Sequence, residues 1–94
     1  MSPWRGLNGE LLCGHHLAAV LGPWTLAPRL KGTGLGEWVL TADLIAPNEY
    51  WLEHGRRFTV RLRMGKSWWR WRDQAIERDG SRITIQGTDR PEDD

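Results

Sequence analysis

The sequence predicts an all-β fold: a small single-domain barrel or sandwich of five to seven short strands, with two consecutive C-terminal β-hairpins. Residues 58–64 alternate between apolar and polar side chains, which is the period of a half-buried strand. Gly65-Lys66 and Asp79-Gly80 are two-residue turn signals of the kind that join paired strands. The 94 residues, of which 39% are hydrophobic and 27% charged, fit one globular domain with a modest core.

The composition of the two ends sets the predicted domain boundaries. Residues 1–9 contain one proline and two glycines and are expected to form an irregular N-terminal arm. Residues 87–94 hold four acidic groups and one arginine and are expected to form a mobile or partner-bound acidic tail. Residues 10–86 remain as the single β-rich domain.

The first part of that domain has an ambiguous pattern. Leu11 to Leu21 reads as two short strands, because Gly14 interrupts it and residues 17–21 are strand-like. A short helix over the same residues is the alternative.

The middle of the chain is divided by prolines and glycines. Pro23 and Pro28 bracket a short extended piece that we expect at a sheet edge. Residues 31–36 are predicted to form a flexible loop, and residues 37–45 a strand with alternate residues on one face. Residues 46–55 are predicted to form a connector.

The first C-terminal hairpin is the best-defined predicted element. A tight turn at Gly65-Lys66 fixes which residues face each other across its strands. Leu62 then lies opposite Trp69, and Val60 lies opposite Trp71. We therefore expect these four side chains on one apolar face, as core anchors.

The opposite face of this hairpin is the candidate partner-binding site. It places Arg63 opposite Trp68 and Arg61 opposite Arg70, with Arg72 beside them, and these five residues are the Arg/Trp face. Trp and Arg are frequent in protein–protein hot spots, and they also bind single-stranded nucleic acid by stacking and phosphate contacts. A third interpretation is a solvated face on which arginine stems cover the indole. The directly opposed like charges slightly favour an anionic partner.

The second predicted hairpin pairs residues 74–78 with residues 81–86 around Asp79-Gly80. Its apolar residues do not continue the apolar face of the first hairpin. In an uninterrupted strand Ile76 would lie on the same face as Arg70 and Arg72. Either a bulge at residues 73–75 resets the faces, or both sides of the sheet are partly covered.

Tryptophan and charge are both unusual in this chain. Seven tryptophans stand beside one phenylalanine and one tyrosine, and a small core cannot hide all seven, so at least two are expected at a partly exposed surface. Residues 1–55 hold three basic and five acidic groups, residues 56–82 nine and three, and residues 83–94 one and four. A basic middle between acidic ends attracts polyanions or acidic patches on neighbouring subunits.

Few residues offer metal or catalytic chemistry. Cys13-Gly14-His15-His16 contains three metal ligands, but zinc sites draw on wider-spaced pairs, and only His54 is a plausible distant partner. The glycine-rich residues 32–36 lead into a strand, whereas phosphate-binding loops open a helix. We expect no enzyme activity, no metal, no cofactor and no small-molecule substrate.

The single cysteine excludes an internal disulfide framework and favours a reducing compartment. The apolar stretch from Leu11 to Leu26 is interrupted by histidines, glycines and a proline. No membrane span is therefore expected.

The order of several short motifs is similar to that in small β-rich proteins of phages that infect high-GC, actinobacteria-like hosts. The motifs, spread over most of the chain, are Gly22-Pro23-Trp24-Thr25-Leu26, Tyr50-Trp51, Val60 to Gly65, Trp69 to Arg72 and Arg90-Pro91-Glu92. The resemblance implies a virion or virion-assembly protein, such as a tail-associated one, located in the host cytoplasm or in the virion.

The expected function is that of a structural or interaction protein that forms homo- or hetero-oligomers with other protein subunits. The alternative is a module that binds single-stranded nucleic acid through the Arg/Trp face.

Overall fold

The computed structural model describes residues 4–29, 37–88 and 90–93, and most of these residues lie in strands. The strands are β1 (Trp4–Gly6), β2 (Gly9–Cys13), β3 (His16–Arg29), β4 (Glu37–Ile45), β5 (Phe58–Met64), β6 (Ser67–Gln74), β7 (Glu77–Asp79), β8 (Arg82–Gly87) and β9 (Glu92–Asp93). One helix, α1 (Glu49–His54), follows β4. The all-β class is confirmed. The predicted count of five to seven strands is too low, because the short strands β1 and β9 lie in the two terminal segments.

The nine strands belong to one antiparallel sheet, in the order β7-β8-β4-β3-β2-β5-β6-β9, with β1 also paired to β3. Within the described residues this path is open, and β7 and β9 are its ends. The sheet is rolled, because the rings of Trp38 on β4 and Trp71 on β6 lie 4.9 Å apart although three strands separate β4 from β6 in the path. The chain from Gly87 to Glu92 can span at most about 18 Å, which also keeps β8 close to β9.

The core lies inside this roll. Its buried apolar residues come from β2, β3, β4, β5, β6 and β8, and each buried Leu, Ile, Val or Trp contributes roughly 1.5–3 kcal/mol or more of transfer free energy. They are Leu11, Ala18, Ala19, Leu21, Trp24, Leu26, Trp38, Leu40, Ala42, Leu44, Phe58, Val60, Leu62, Trp71, Ile83 and Ile85.

Two strands cover the ambiguous segment from Leu11 to Leu21, so the helical alternative is wrong. β2 and β3 pair around a tight turn in which Gly14 adopts a φ of +63°, a conformation that glycine adopts without strain. Strands prevail here because both β3 and β5 pair with β2, which buries Leu11 from both sides.

Pro23 and Pro28 do not mark an edge strand as predicted. Both lie in β3, a 14-residue strand inside the sheet. Pro23 is tolerated because β3 pairs with β2 only up to Leu21 and with β1 only from Trp24 onward, and the register with β4 also shifts at this point. The backbone N–H that Pro23 lacks is therefore at a position where the pairing of β3 with its neighbouring strands is interrupted.

β5 and β6 pair in the register expected from the sequence, with Leu62 opposite Trp69 and Val60 opposite Trp71. The register then shifts, so that Phe58 lies opposite Gln74 and β6 contains one extra residue. Asp73 in this bulge has a φ of +55°. The bulge resets the faces, which is the first of the two explanations offered for the change of parity.

The second turn lies one residue later than predicted. β7 and β8 pair with Asp79 opposite Arg82, so that Gly80 and Ser81 form the turn. Gly80 has a φ of +62°, which glycine adopts without strain, and it therefore takes the first position of the turn. β7 is limited to three exposed residues at the sheet edge.

Each of the two terminal segments contains a short strand. Trp4 to Gly6 form β1, and the Trp4 ring contacts that of Trp69 edge-on at 5.8 Å. Glu92 and Asp93 form β9, which pairs with β6. Both termini therefore add strands to the sheet.

The predicted connector at residues 46–55 contains helix α1, which sequence reasoning did not anticipate. Asn48 caps it, because its side chain accepts a hydrogen bond from the Tyr50 backbone N–H at 3.2 Å. The Asn48 N–H also donates to the carbonyl of Ala18 on β3 at 2.7 Å. The helix is thus tied to the sheet at its N-cap. The predicted glycine-rich loop at 31–36 lies outside the described residues.

Candidate functional site

The Arg/Trp face lies on the outside of the roll, where β5 and β6 carry it. Arg61 and Arg63 alternate with the fully buried Val60 and Leu62, so they project to the other side of the strand. The register brings Arg63 opposite Trp68 and Arg61 opposite Arg70, as predicted.

A row of charged residues crosses this face over four neighbouring strands. Glu10 on β2 lies beside Arg61, Arg61 beside Arg70, and Arg70 beside Glu92 on β9. Arg61 Nη1 donates to a carboxylate oxygen of Glu10. Arg70 Nη2 and Arg72 Nε each lie 3.2 Å from Glu92 Oε2. The two opposed arginines are therefore balanced by carboxylates of the same chain.

Trp68 is half-buried under an arginine. The guanidinium carbon of Arg61 lies 4.6 Å from the centroid of the Trp68 ring, within the range of a cation–π contact. Arg63 Nε donates to the Gly65 carbonyl in the adjoining turn at 3.2 Å. This arrangement has the contacts expected of a solvated face, and it also keeps a ring and several guanidinium groups together at the surface.

A groove of about 560 Å³ runs along this face. The arginines at 61, 70 and 72 line it together with Thr59 and His15. A concave surface with three guanidinium groups, a hydroxyl and an imidazole suits an anionic ligand.

Glu10 and Glu92 are the site residues that sequence reasoning missed. Their partners are 51 and 22 residues away along the chain. The acidic composition of residues 83–94 was the available signal for Glu92, but nothing local indicated which strand it would pair with.

The predicted core anchors lie on the inner face. Val60 and Leu62 are fully buried, Trp71 is 2% exposed, and Trp69 is half-buried and packs against the core. The rings of Trp69 and Trp71 are 6.1 Å apart, and Trp4 and Trp38 extend this contact chain at either end.

The expectation that at least two tryptophans are partly exposed is confirmed. Trp4 is 44% exposed, and three others are half-buried: Trp51, Trp68 and Trp69.

A second surface, the α1 patch, surrounds the short helix and consists of His16, Tyr50, Trp51 and His54. Its rings touch in sequence: His16 stacks on Trp51 at 4.1 Å, Trp51 meets Tyr50 edge-on at 5.0 Å, and Tyr50 stacks on His54 at 4.5 Å. His54 Nδ1 donates to the Tyr50 carbonyl at 2.9 Å, which orients the last ring. Tyr50 is 59% exposed.

An ion pair holds α1 to the sheet edge. Arg78 on β7 donates from both terminal nitrogens to Glu49, at 2.6 and 2.8 Å. Hydrogen bonding from Arg78 lowers the pKa of Glu49 below its ordinary value. The same pair raises the pKa of Arg78.

This pair predicts an acid-sensitive contribution to stability. Because the folded-state pKa of Glu49 is lower than the unfolded-state pKa, the contribution is full above the ordinary glutamate pKa and is lost as pH falls through the folded value. Glu49→Gln should lower the urea midpoint slightly at pH 7 and cause less difference from wild type at about pH 3. Glu53→Gln, on an exposed glutamate of the same helix, is the control. Equal effects of the two substitutions at both pH values would contradict the prediction.

His15, His16 and Cys13 do not assemble with other ligands. No group of three His, Cys, Asp or Glu side chains in residues 4–29, 37–88 and 90–93 is placed to hold a metal ion. Instead His16 stacks on Trp51, and Cys13 packs as a free thiol against the core. Over the same ranges, no helix is both long and apolar enough to cross a membrane.

No protein-family model, curated protein or solved structure matches this chain.

Proposed function

We propose that the chain is a non-enzymatic interaction protein, a phage virion or assembly subunit that works by binding other protein subunits. The observation that carries this proposal is the α1 patch. It places a mostly exposed tyrosine, a half-buried tryptophan and two exposed histidines in ring contact on one surface. Large aromatic side chains at the surface are typical of protein-binding hot spots.

Contacts within the patch and around the helix hold its side chains in one conformation. The four rings contact one another in series, the cap at Asn48 defines the start of the helix, and Arg78 binds Glu49 at the sheet edge. Pre-formed aromatic surfaces lose little conformational entropy on binding, which increases affinity. We infer that the rolled sheet is the small barrel expected from the sequence and acts as the rigid base of this patch.

The test compares how the wild type, a double variant and a control variant associate with themselves and with other proteins. The purified chain is measured by light scattering at increasing concentration and by titration with the products of neighbouring virion genes. A double variant, Tyr50→Ser with His54→Ser, removes two exposed rings of the patch. Leu7→Ser removes a side chain that is 70% exposed and does not belong to the patch, and it is the matched control.

We expect the double variant to weaken association at least tenfold, because truncating one hot-spot side chain typically costs 2 kcal/mol or more, about 30-fold in Kd. Leu7→Ser should leave the association unchanged. A strict monomer at high concentration that also binds none of the virion proteins would contradict the proposal.

A further inference from the structure

Two carboxylates of the described residues lie on the Arg/Trp face, and they are held very differently. Glu10 belongs to β2, which pairs with a strand on each side, and its side chain is 32% exposed. Glu92 belongs to β9, a two-residue strand at the open edge, and its side chain is 51% exposed. One carboxylate is therefore a fixed part of the sheet, whereas the other is attached by a short terminal strand.

Glu92 is bound in the manner of an anionic ligand. Arg70 approaches one of its oxygens from two nitrogens, Nη2 at 3.2 Å and Nε at 3.3 Å, and Arg72 approaches the same oxygen from Nε at 3.2 Å. Convergence of two guanidinium groups on one oxygen is also the geometry in which arginines bind phosphate. Ion pairs as exposed as these contribute little to stability, so a competing anion can replace the carboxylate.

We infer that the groove on the Arg/Trp face binds the phosphate backbone of single-stranded nucleic acid, and that Glu92 holds the place of a phosphate until β9 is displaced. Arg70 and Arg72 then contact the backbone, and His15 and Thr59 line the same groove. Trp68 lies beside this groove on the same face, and it supplies the stacking ring for a base when Arg61 turns from the indole to a phosphate.

A nucleic acid fits this surface better than an acidic polypeptide does. Guanidinium groups line the groove and the Trp68 indole lies beside it on the same face. Base stacking on an aromatic ring is the contribution that a polypeptide carboxylate cannot make. The site shares no residue with the α1 patch, so loss of assembly and loss of nucleic-acid binding are separate outcomes.

The test is fluorescence anisotropy of a labelled 15-nucleotide single-stranded DNA with the full chain at low salt. Glu92→Gln removes the competing carboxylate and should tighten binding about three- to tenfold. Asp93→Asn is the matched control, because it removes one negative charge from the same strand without touching either arginine; it should change affinity less. Arg72→Gln should weaken binding at least tenfold, and Trp68→Leu about tenfold.

Salt dependence and competition complete the test. Three arginines on phosphates predict a slope of about −2 in log K against log salt for a single strand. The inference is overturned if neither the wild type nor Glu92→Gln binds at low salt. It is also overturned if Glu92→Gln and Asp93→Asn tighten binding equally, or if poly-glutamate of matched charge competes as well as the unlabelled oligonucleotide does. Unchanged thermal unfolding of each variant shows that its fold is intact.

Discussion

Replacing Trp71 with alanine is expected to lower the free energy of unfolding by about 3–5 kcal/mol. The side chain is 2% exposed and lies between the rings of Trp38, at 4.9 Å, and Trp69, at 6.1 Å. It connects β6 to β4 across the interior of the roll, so its removal leaves a cavity where the two sides of the sheet meet. A domain of this length has a total stability of roughly 5–14 kcal/mol, so the loss is a large fraction of the whole.

Urea denaturation followed by circular dichroism measures this change. Trp68→Ala is the matched control, because Trp68 lies in the same strand but is half-buried on the outer face. It should cost much less. If the two substitutions lower stability equally, Trp71 is not the packing centre that its position indicates.

Gly87→Ala is expected to destabilise the protein by about 1–3 kcal/mol, although a single methyl group is added. Gly87 lies directly opposite Trp38, and the indole lies against it. A Cβ built at Gly87 would be 2.5 Å from Cε2 of Trp38, so the ring or the strand has to move. The reduced entropy of the unfolded alanine chain favours the variant by only about 0.4–1 kcal/mol, which is less than the cost of the clash.

A double-mutant cycle identifies the cause of this effect. In a Trp38→Leu background the space above residue 87 opens, and Gly87→Ala should then cost little or become favourable. An unchanged cost in that background would show that backbone conformation, rather than the ring, requires glycine. Gly6 repeats the arrangement, since a Cβ there would be 2.6 Å from Cε2 of Trp24 on the paired strand.

The Arg/Trp face and the core anchors were predictable because they depend on local geometry. A two-residue turn and a period of two determine which residues of β5 and β6 face each other, and a slip of one residue would move Trp71 to solvent and Arg70 to the core. The same argument left two explanations for why the apolar residues change face after Arg72. Either a bulge resets the faces, or both sides of the sheet are partly covered. Local pattern alone could not choose between them, because the answer depends on what packs against Gln74 and Ile76.

The sequence contains a start signal for helix α1, but this signal is too weak to predict a helix. Asn48 followed by Glu49 is a typical start for a helix, yet six residues cannot form a stable helix alone. The contacts that support it come from elsewhere in the chain: Ala18 accepts the Asn48 N–H, His16 stacks on Trp51, and Arg78 holds Glu49. The α1 patch was therefore not predictable as a surface.

The all-β class, the register of the Gly65-Lys66 hairpin and the separation of its apolar and arginine faces follow from local pattern, since these features depend on residues close together along the chain. The positions of Glu10 and Glu92 beside the arginines do not, because strand neighbours are selected by burial of the whole core. The number of strands also depends on the tertiary structure. β1 and β9 are too short to form alone, and they form because they pair with β3 and β6.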